Sequence, residues 1–282
     1  MHSYEIFAAL LYAIPFVLSD SISKKVLLKF GAYTTGVMLL SIGLIPIAII
    51  SLLYNFGPIS AYLILTSSLS GIMLAAGYIL FYKTVATEHV SNSIVFSELG
   101  SAIFVIFGFF VLGESIRLAG IFGAAMVFIG GGLVALTEDL KFNKRLLPAM
   151  SAFILWSSSF IIISYPIKLY GSFGFALIIA RIAALLSFIA IARALNLHKN
   201  TGTHAHKSYG DVLSIGLLDG TGMAGFGLAA IIGAIGLAGV MNAMVPVIGA
   251  IIGFILYKER FTKLQLFGFS LMILGAVIVS IA

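Results

Sequence analysis

The chain contains no cysteine, and only 9% of its residues are charged. The first absence excludes a disulfide-stapled secreted scaffold. The second excludes a water-soluble domain, in which about 25% of residues carry charge. In place of charge the chain has apolar surface: 61% of its 282 residues are hydrophobic, and the mean hydropathy is +1.17. That content excludes disorder and a basic nucleic-acid-binding domain, despite the net charge of +6. A polytopic membrane protein remains.

A membrane helix needs about 20 apolar residues, and uninterrupted apolar windows predict ten of them. The first five cover Tyr4–Leu28, Tyr33–Leu53, Ala61–Tyr82, Val90–Leu112 and Leu118–Leu136. The second five cover Leu147–Ile167, Phe173–Leu195, Val212–Ile232, Val240–Tyr257 and Leu264–Ile281. Turn chemistry separates them at Asn55, Gly57 and Pro58, and again at Gly171, Ser172 and Gly174. The polar stretch Thr137–Arg145 is the expected linker, giving units 1–140 and 141–282. A β-barrel is excluded, because the segments lack period-2 alternation and are twice too long. No positive charge precedes Tyr4, so the first apolar segment reads as a retained helix and not a cleaved signal.

Positive charge is uneven along this plan. Lys24, Lys25, Lys29, Lys83, Lys141, Lys144, Arg145, Arg193, Lys199, Lys207, Lys258, Arg260 and Lys263 fall on one side, and only Arg117 and Lys168 on the other. The positive-inside rule puts the first group in the cytoplasm and both termini outside. The basic excess then needs no partner beyond anionic membrane lipid.

The two halves repeat. Tyr12, Phe16, Asp20 and Lys24 recur 144 residues later as Trp156, Phe160, Ser164 and Lys168. Gly108, Phe109, Leu112 and Glu114 recur after 145 residues as Gly253, Phe254, Tyr257 and Glu259. With that offset Gly120–Gly123 matches Gln265–Gly268, and Gly130 matches Gly275. Five helices per unit is an odd number, so the second copy crosses the membrane in the opposite sense. Inverted repeats of this kind build many secondary transporters, with substrate sites near the midplane.

Several of these residues also resemble one family. Tyr12 and Trp156 near the start of each half, Arg181 leading Ile182–Leu186, and Pro246 with Glu259, Gly268 and Gly275 are similar to motifs of the drug/metabolite transporter superfamily, EamA-like branch. The resemblance implies ten helices in two inverted five-helix repeats around a central cavity. It also implies movement of small metabolites, often export of amino acids or related compounds. The first half departs from the pattern: Ser101 stands for a proline, Ser41 or a neighbour for an arginine, and Tyr12 for a tryptophan.

Ionisable groups within spans are costly and are the first functional candidates. Glu98 lies mid-helix and too deep to snorkel, which suits a carboxyl that binds and releases a proton. Arg181 either holds a substrate carboxylate or neutralises Glu98, Asp219 or Asp20. Asp219 sits among Gly216, Gly220 and Gly222, and Asp20 has Lys24 one helical turn away. Trp156 with Ser157, Ser158 and Ser159 forms a polar-aromatic cluster suited to an amphipathic small molecule. Tyr12 is its counterpart in the first half. Asn242 shares a face with Pro246, whose missing amide frees a carbonyl. Tyr78 and Tyr82, at i and i+4, read chiefly as packing.

His198, His204 and His206 lie in a polar loop without carboxylates, so no metal site is expected. No phosphate-binding loop or other cofactor motif is present in the sequence. Two further functions fit the fold less well. A phosphate-linked substrate exchanger or lipid-carrier flippase would want several deep cations, and Arg181 stands alone. An intramembrane enzyme could pair Asp20 with Asp219, but the flanking glycines do not form the Gly-x-Gly-Asp pattern of two-aspartate proteases. The expected partners are a small-molecule substrate, protons and lipid, at the plasma membrane.

Overall fold

The computed structural model describes residues 3–86, 118–134, 147–199, 209–233, 235–242, 245–258 and 260–281. Every regular element among them is helical. The helices are α1 (Ser3–Ile42), α2 (Leu44–Leu53), α3 (Ala61–Val85), α4 (Leu118–Val134), α5 (Leu147–Tyr170), α6 (Phe173–Ala194), α7 (Tyr209–Ile232), α8 (Ile235–Asn242), α9 (Val245–Tyr257) and α10 (Lys263–Ile281). A short 3₁₀ turn, Leu197–Lys199, follows α6. The predicted span Val90–Leu112, with Glu98 and Ser101, lies outside the described residues, as does the linker 137–145.

Helix ends follow local chemistry. Asn55 Oδ1 accepts the Gly57 N–H at 2.9 Å, closing the predicted turn, and Ser60 Oγ caps α3 by accepting the Leu63 N–H at 3.1 Å. Large apolar side chains such as Leu53, Leu65, Phe122, Leu186 and Phe267 point outward, as lipid-facing positions must. The chain is a multi-pass, all-helical membrane protein.

The helices depart from the predicted spans in two places. The first two expected helices have no loop between them: α1 runs through Gly31, whose backbone (φ 77°, ψ 162°) only glycine adopts readily. The apolar stretch Tyr4–Leu53 would measure ~75 Å as one straight helix, against a hydrocarbon core of ~30 Å. The chain therefore has to turn back at this residue, and its packing on α7 shows that it does. Ser19 Oγ donates to the Ile215 carbonyl at 2.9 Å, while Gly225 abuts Leu11 and Tyr12, so residues 3–30 run antiparallel to α7. Gly216 abuts Ile42, and Gly220 abuts Gly43 and Pro46, so the chain beyond Gly31 runs parallel to it. The second departure is the ninth span, expected as Val240–Tyr257. Its helix starts earlier, at Ile235, and covers Ile235–Asn242 and Val245–Tyr257 among the described residues.

The internal repeat is visible as exchanged contacts. A Cβ at Gly130 would meet the Gly268 carbonyl at 2.5 Å, and one at Gly275 would meet the Gly123 carbonyl at 2.4 Å. At the 145-residue offset Gly130 corresponds to Gly275 and Gly268 to Gly123, so each contact is the other's copy. A two-fold relation requires this exchange. Because residue 123 lies by 275 and residue 130 by 268, α4 and α10 run antiparallel, and the axis crosses the helices as in an inverted repeat. Gly36 meets the Phe188 ring, and Gly43 meets the Arg181 guanidinium, which is the same exchange at the same offset. Phe16 and its copy Phe160 touch each other, with ring centroids 5.9 Å apart. These pairings correct one expectation: Gly36, and not Ser41, occupies the position equivalent to Arg181.

Candidate functional site

The most buried charges meet where α1, α3, α6 and α7 converge. Arg181 lies about 12 Å along α6 from its start, by helical rise. Its Nε donates to the Leu40 carbonyl at 3.0 Å and its Nη2 to the Leu39 carbonyl at 2.9 Å. Both acceptors belong to the last turn of α1, next to the bend at Gly43. Pro46 lacks the N–H that would otherwise bond Ile42, so the helix is weakened there. Gly43 also makes room for the guanidinium, since a Cβ would lie 1.9 Å from Nη2.

Asp219 completes the arrangement from α7. Gly216 and Gly220 bring its helix hard against the α1–α2 bend. Its Oδ2 faces Arg181 Nη2 at 2.5 Å, with 0% of the aspartate and 1% of the arginine side chain exposed. Tyr78 Oη, from α3, donates to Oδ1. Of the partners the sequence left open for Arg181, Asp219 pairs with it, and Glu98 lies outside the described residues. A charged pair this deep is stabilised by further hydrogen bonds to its donors and acceptors, and the two carbonyls and the tyrosine supply three of them.

Tyr78 is the residue that sequence reasoning undervalued. Its helical pairing with Tyr82 is real, with centroids 6.0 Å apart, but its hydroxyl holds the aspartate. The available signal was that a buried phenol needs a partner for its O–H. Tyr82 lies one turn further on. It is 2% exposed, and its Oη has no hydrogen-bond partner among the described residues.

Asp20 corrects a second expectation. It does not pair with Lys24 in the structure. Lys24 Nζ lies 5.9 Å from the centroid of the Tyr257 ring, while Asp20 is 4% exposed. The packing of α1 on α7 decides this: Ser19 meets Ile215 and Phe16 meets Gly222, which turns Asp20 into the bundle about one helical turn from Asp219. Asp20 is within electrostatic reach of Asp219 and of both tyrosines.

The tryptophan cluster is split between two tasks. Trp156 Nε1 donates to the Leu74 carbonyl at 3.3 Å, and its ring lies 5.2 Å from those of Tyr78 and Phe81. It therefore walls the tyrosine side of the site. Ser159 zips α5 to α3, its Oγ 2.8 Å from Ser70 Oγ and donating to the Ser70 carbonyl at 3.0 Å. Ser157 is buried, and its Oγ has no hydrogen-bond partner among the described residues. Tyr12 belongs to an aromatic group with Phe16, Phe160 and Phe226, at centroid distances of 5.4, 5.9 and 5.5 Å. Asn242 is the last described residue of α8, and Glu98 lies outside the described residues. His198 packs edge-on against Tyr33.

At one end of the bundle Lys25 and Lys29 of α1 approach Asp211 at the start of α7, at 3.0 and 3.4 Å. Both lysines belong to the group expected in the cytoplasm.

The sequence matches the EamA-like transporter family twice, over residues 3–136 and 144–281. The chain belongs to the EamA-like transporter family. Two matches in tandem are what the exchanged contacts of the fold describe. A crystal structure with 15% sequence identity superposes with a TM-score of 0.66, covering 97% of this chain and 96% of that one, so the two share a fold. No curated protein matches the sequence.

Proposed function

We propose that this EamA-like protein is a secondary transporter that exports a small organic metabolite, such as an amino acid or related compound, by alternating access between its two inverted repeats. One observation carries the reading: the buried polar network joins the repeats. Tyr78 of the first half holds Asp219 of the second, and Arg181 of the second half holds the Leu39 and Leu40 carbonyls of the first. Transporters built from inverted repeats place their sites on such a seam near the midplane, and rocking one half against the other remakes the contacts there. The halves are 1–140 and 141–282, in the plasma membrane with both termini outside. Trp156, Tyr78, Tyr82, Asp20 and Ser157 face the solute in this reading, and Arg181 with Asp219 forms the frame.

The commitment of Arg181 disfavours a phosphate-linked substrate exchanger or lipid-carrier flippase, because the guanidinium is already matched by a carboxylate and two carbonyls. The commitment of Asp219 likewise disfavours a two-aspartate enzyme, in which the carboxyls would share one proton. Coupling is assigned to Glu98 with a proton gradient. Proteoliposomes carrying Glu98→Gln test the assignment: gradient-driven accumulation should vanish while equilibrium exchange of solute persists. Accumulation that survives the substitution would move the coupling role to Asp20.

A further inference from the structure

Three charged side chains are buried among the described residues: Asp20, Arg181 and Asp219. Arg181 and Asp219 cancel each other in their ion pair. Asp20 is left over. It lies about one helical turn from them along the bundle, is 4% exposed, and has neither a hydrogen bond nor an ion pair among the described residues. Once ionised, a carboxyl in such a place calls for a positive counterpart, because an isolated buried charge is costly. Arg181 is already engaged, its Nε going to Leu40 and its Nη2 to Leu39 and Asp219.

The surroundings suit an organic cation. Tyr82 Oη, itself buried and without a partner, offers an acceptor for an N–H. The Tyr78 ring lies 6.0 Å from that of Tyr82 and 5.2 Å from that of Trp156, and such rings offer π faces, which attract an ammonium group. We propose that Asp20 is the recognition site for the protonated amine of the transported solute, with Tyr82 and the Tyr78–Trp156 pair around it. This rests on the transporter reading and narrows it: the solute carries a positive charge, and its carboxylate, if it has one, is not bound by Arg181.

The test uses purified full-length protein and three probes matched in shape: 2-phenylethylamine, 2-phenylethanol and 3-phenylpropionate. Binding is read by thermal stabilisation and by fluorescence of Trp156, the chain's one tryptophan. The amine should stabilise the protein more than the alcohol does, and the acid should not. Asp20→Asn should weaken amine binding by roughly tenfold or more and leave the response to the alcohol unchanged. Asp20→Glu, which keeps the charge, should retain amine binding and guards against a folding defect in the amide variant. A response to the acid that equals or exceeds that to the amine would overturn the proposal. So would the lack of an amine-specific response, or one that survives Asp20→Asn. Flux separates the two readings. Acid binding with transport in proteoliposomes would sink only the cation site, whereas Asp20-dependent amine binding without flux of any solute would sink only the transporter.

Discussion

Arg181 and Asp219 lie 2.5 Å apart on neighbouring helices of the second repeat, and the space for the arginine is made by a glycine of the first, Gly43. The pair is thus an internal matter of one half that only the other half can complete. Its energetics follow from burial. Removing one partner leaves the other charged and unmatched in a low-dielectric interior.

Arg181→Ala should therefore destabilise the protein by about 3–5 kcal/mol. The double variant Arg181→Met, Asp219→Leu, which removes both charges, should recover much of that loss. Equilibrium unfolding in mixed micelles would measure both. An Arg181→Ala protein as stable as the parent, with only solute affinity reduced, would make the arginine a substrate ligand instead of a frame.

Gly43→Ala places a Cβ 1.9 Å from the guanidinium and should cost about 1–3 kcal/mol through overpacking. The penalty should shrink in an Arg181→Ala background, because the clashing group is gone, so the two changes will not be additive. Additive effects in a double-mutant cycle would show that the two residues do not meet.

The glycine seam between α4 and α10 makes a symmetry prediction. Gly130 and Gly275 are copies that meet equivalent carbonyls, at 2.5 and 2.4 Å. Gly130→Ala and Gly275→Ala should lower thermal stability by similar amounts, of order 1–3 kcal/mol each. A large cost at one position and none at the other would break the two-fold relation.

Much of this architecture was legible in the sequence. The offset of 144 to 145 residues made the repeat visible, and turn residues such as Asn55, Gly57 and Gly171 marked the loops where they occur. What was hidden depended on contacts between distant segments. The reversal at Gly31 carries no polar loop to announce it, because one glycine with positive φ does the work of several turn residues. Asp20 and Lys24 satisfy the local i, i+4 rule, yet the packing of α1 on α7 draws the aspartate inward and leaves the lysine by Tyr257. Tyr78 and Asp219 are 141 residues apart, and no periodicity connects them.

Orientation is open to a direct check, since the chain has no native cysteine to remove. A single cysteine at Thr203 should resist an impermeant thiol reagent in intact cells. One replacing Ile59, which is exposed beside the α2–α3 turn, should react. Labelling at position 203 would reverse the assigned topology.

The measurement that reaches the central claim most directly is counterflow in proteoliposomes containing the purified protein and a pool of labelled amino acids and amines. The account predicts that unlabelled solute inside the vesicles accelerates uptake of the same labelled solute, which is recovered chemically unchanged, and that Arg181→Ala protein loses this stimulation. Uptake that is indifferent to solute on the far side, or label recovered as a new compound, would contradict it.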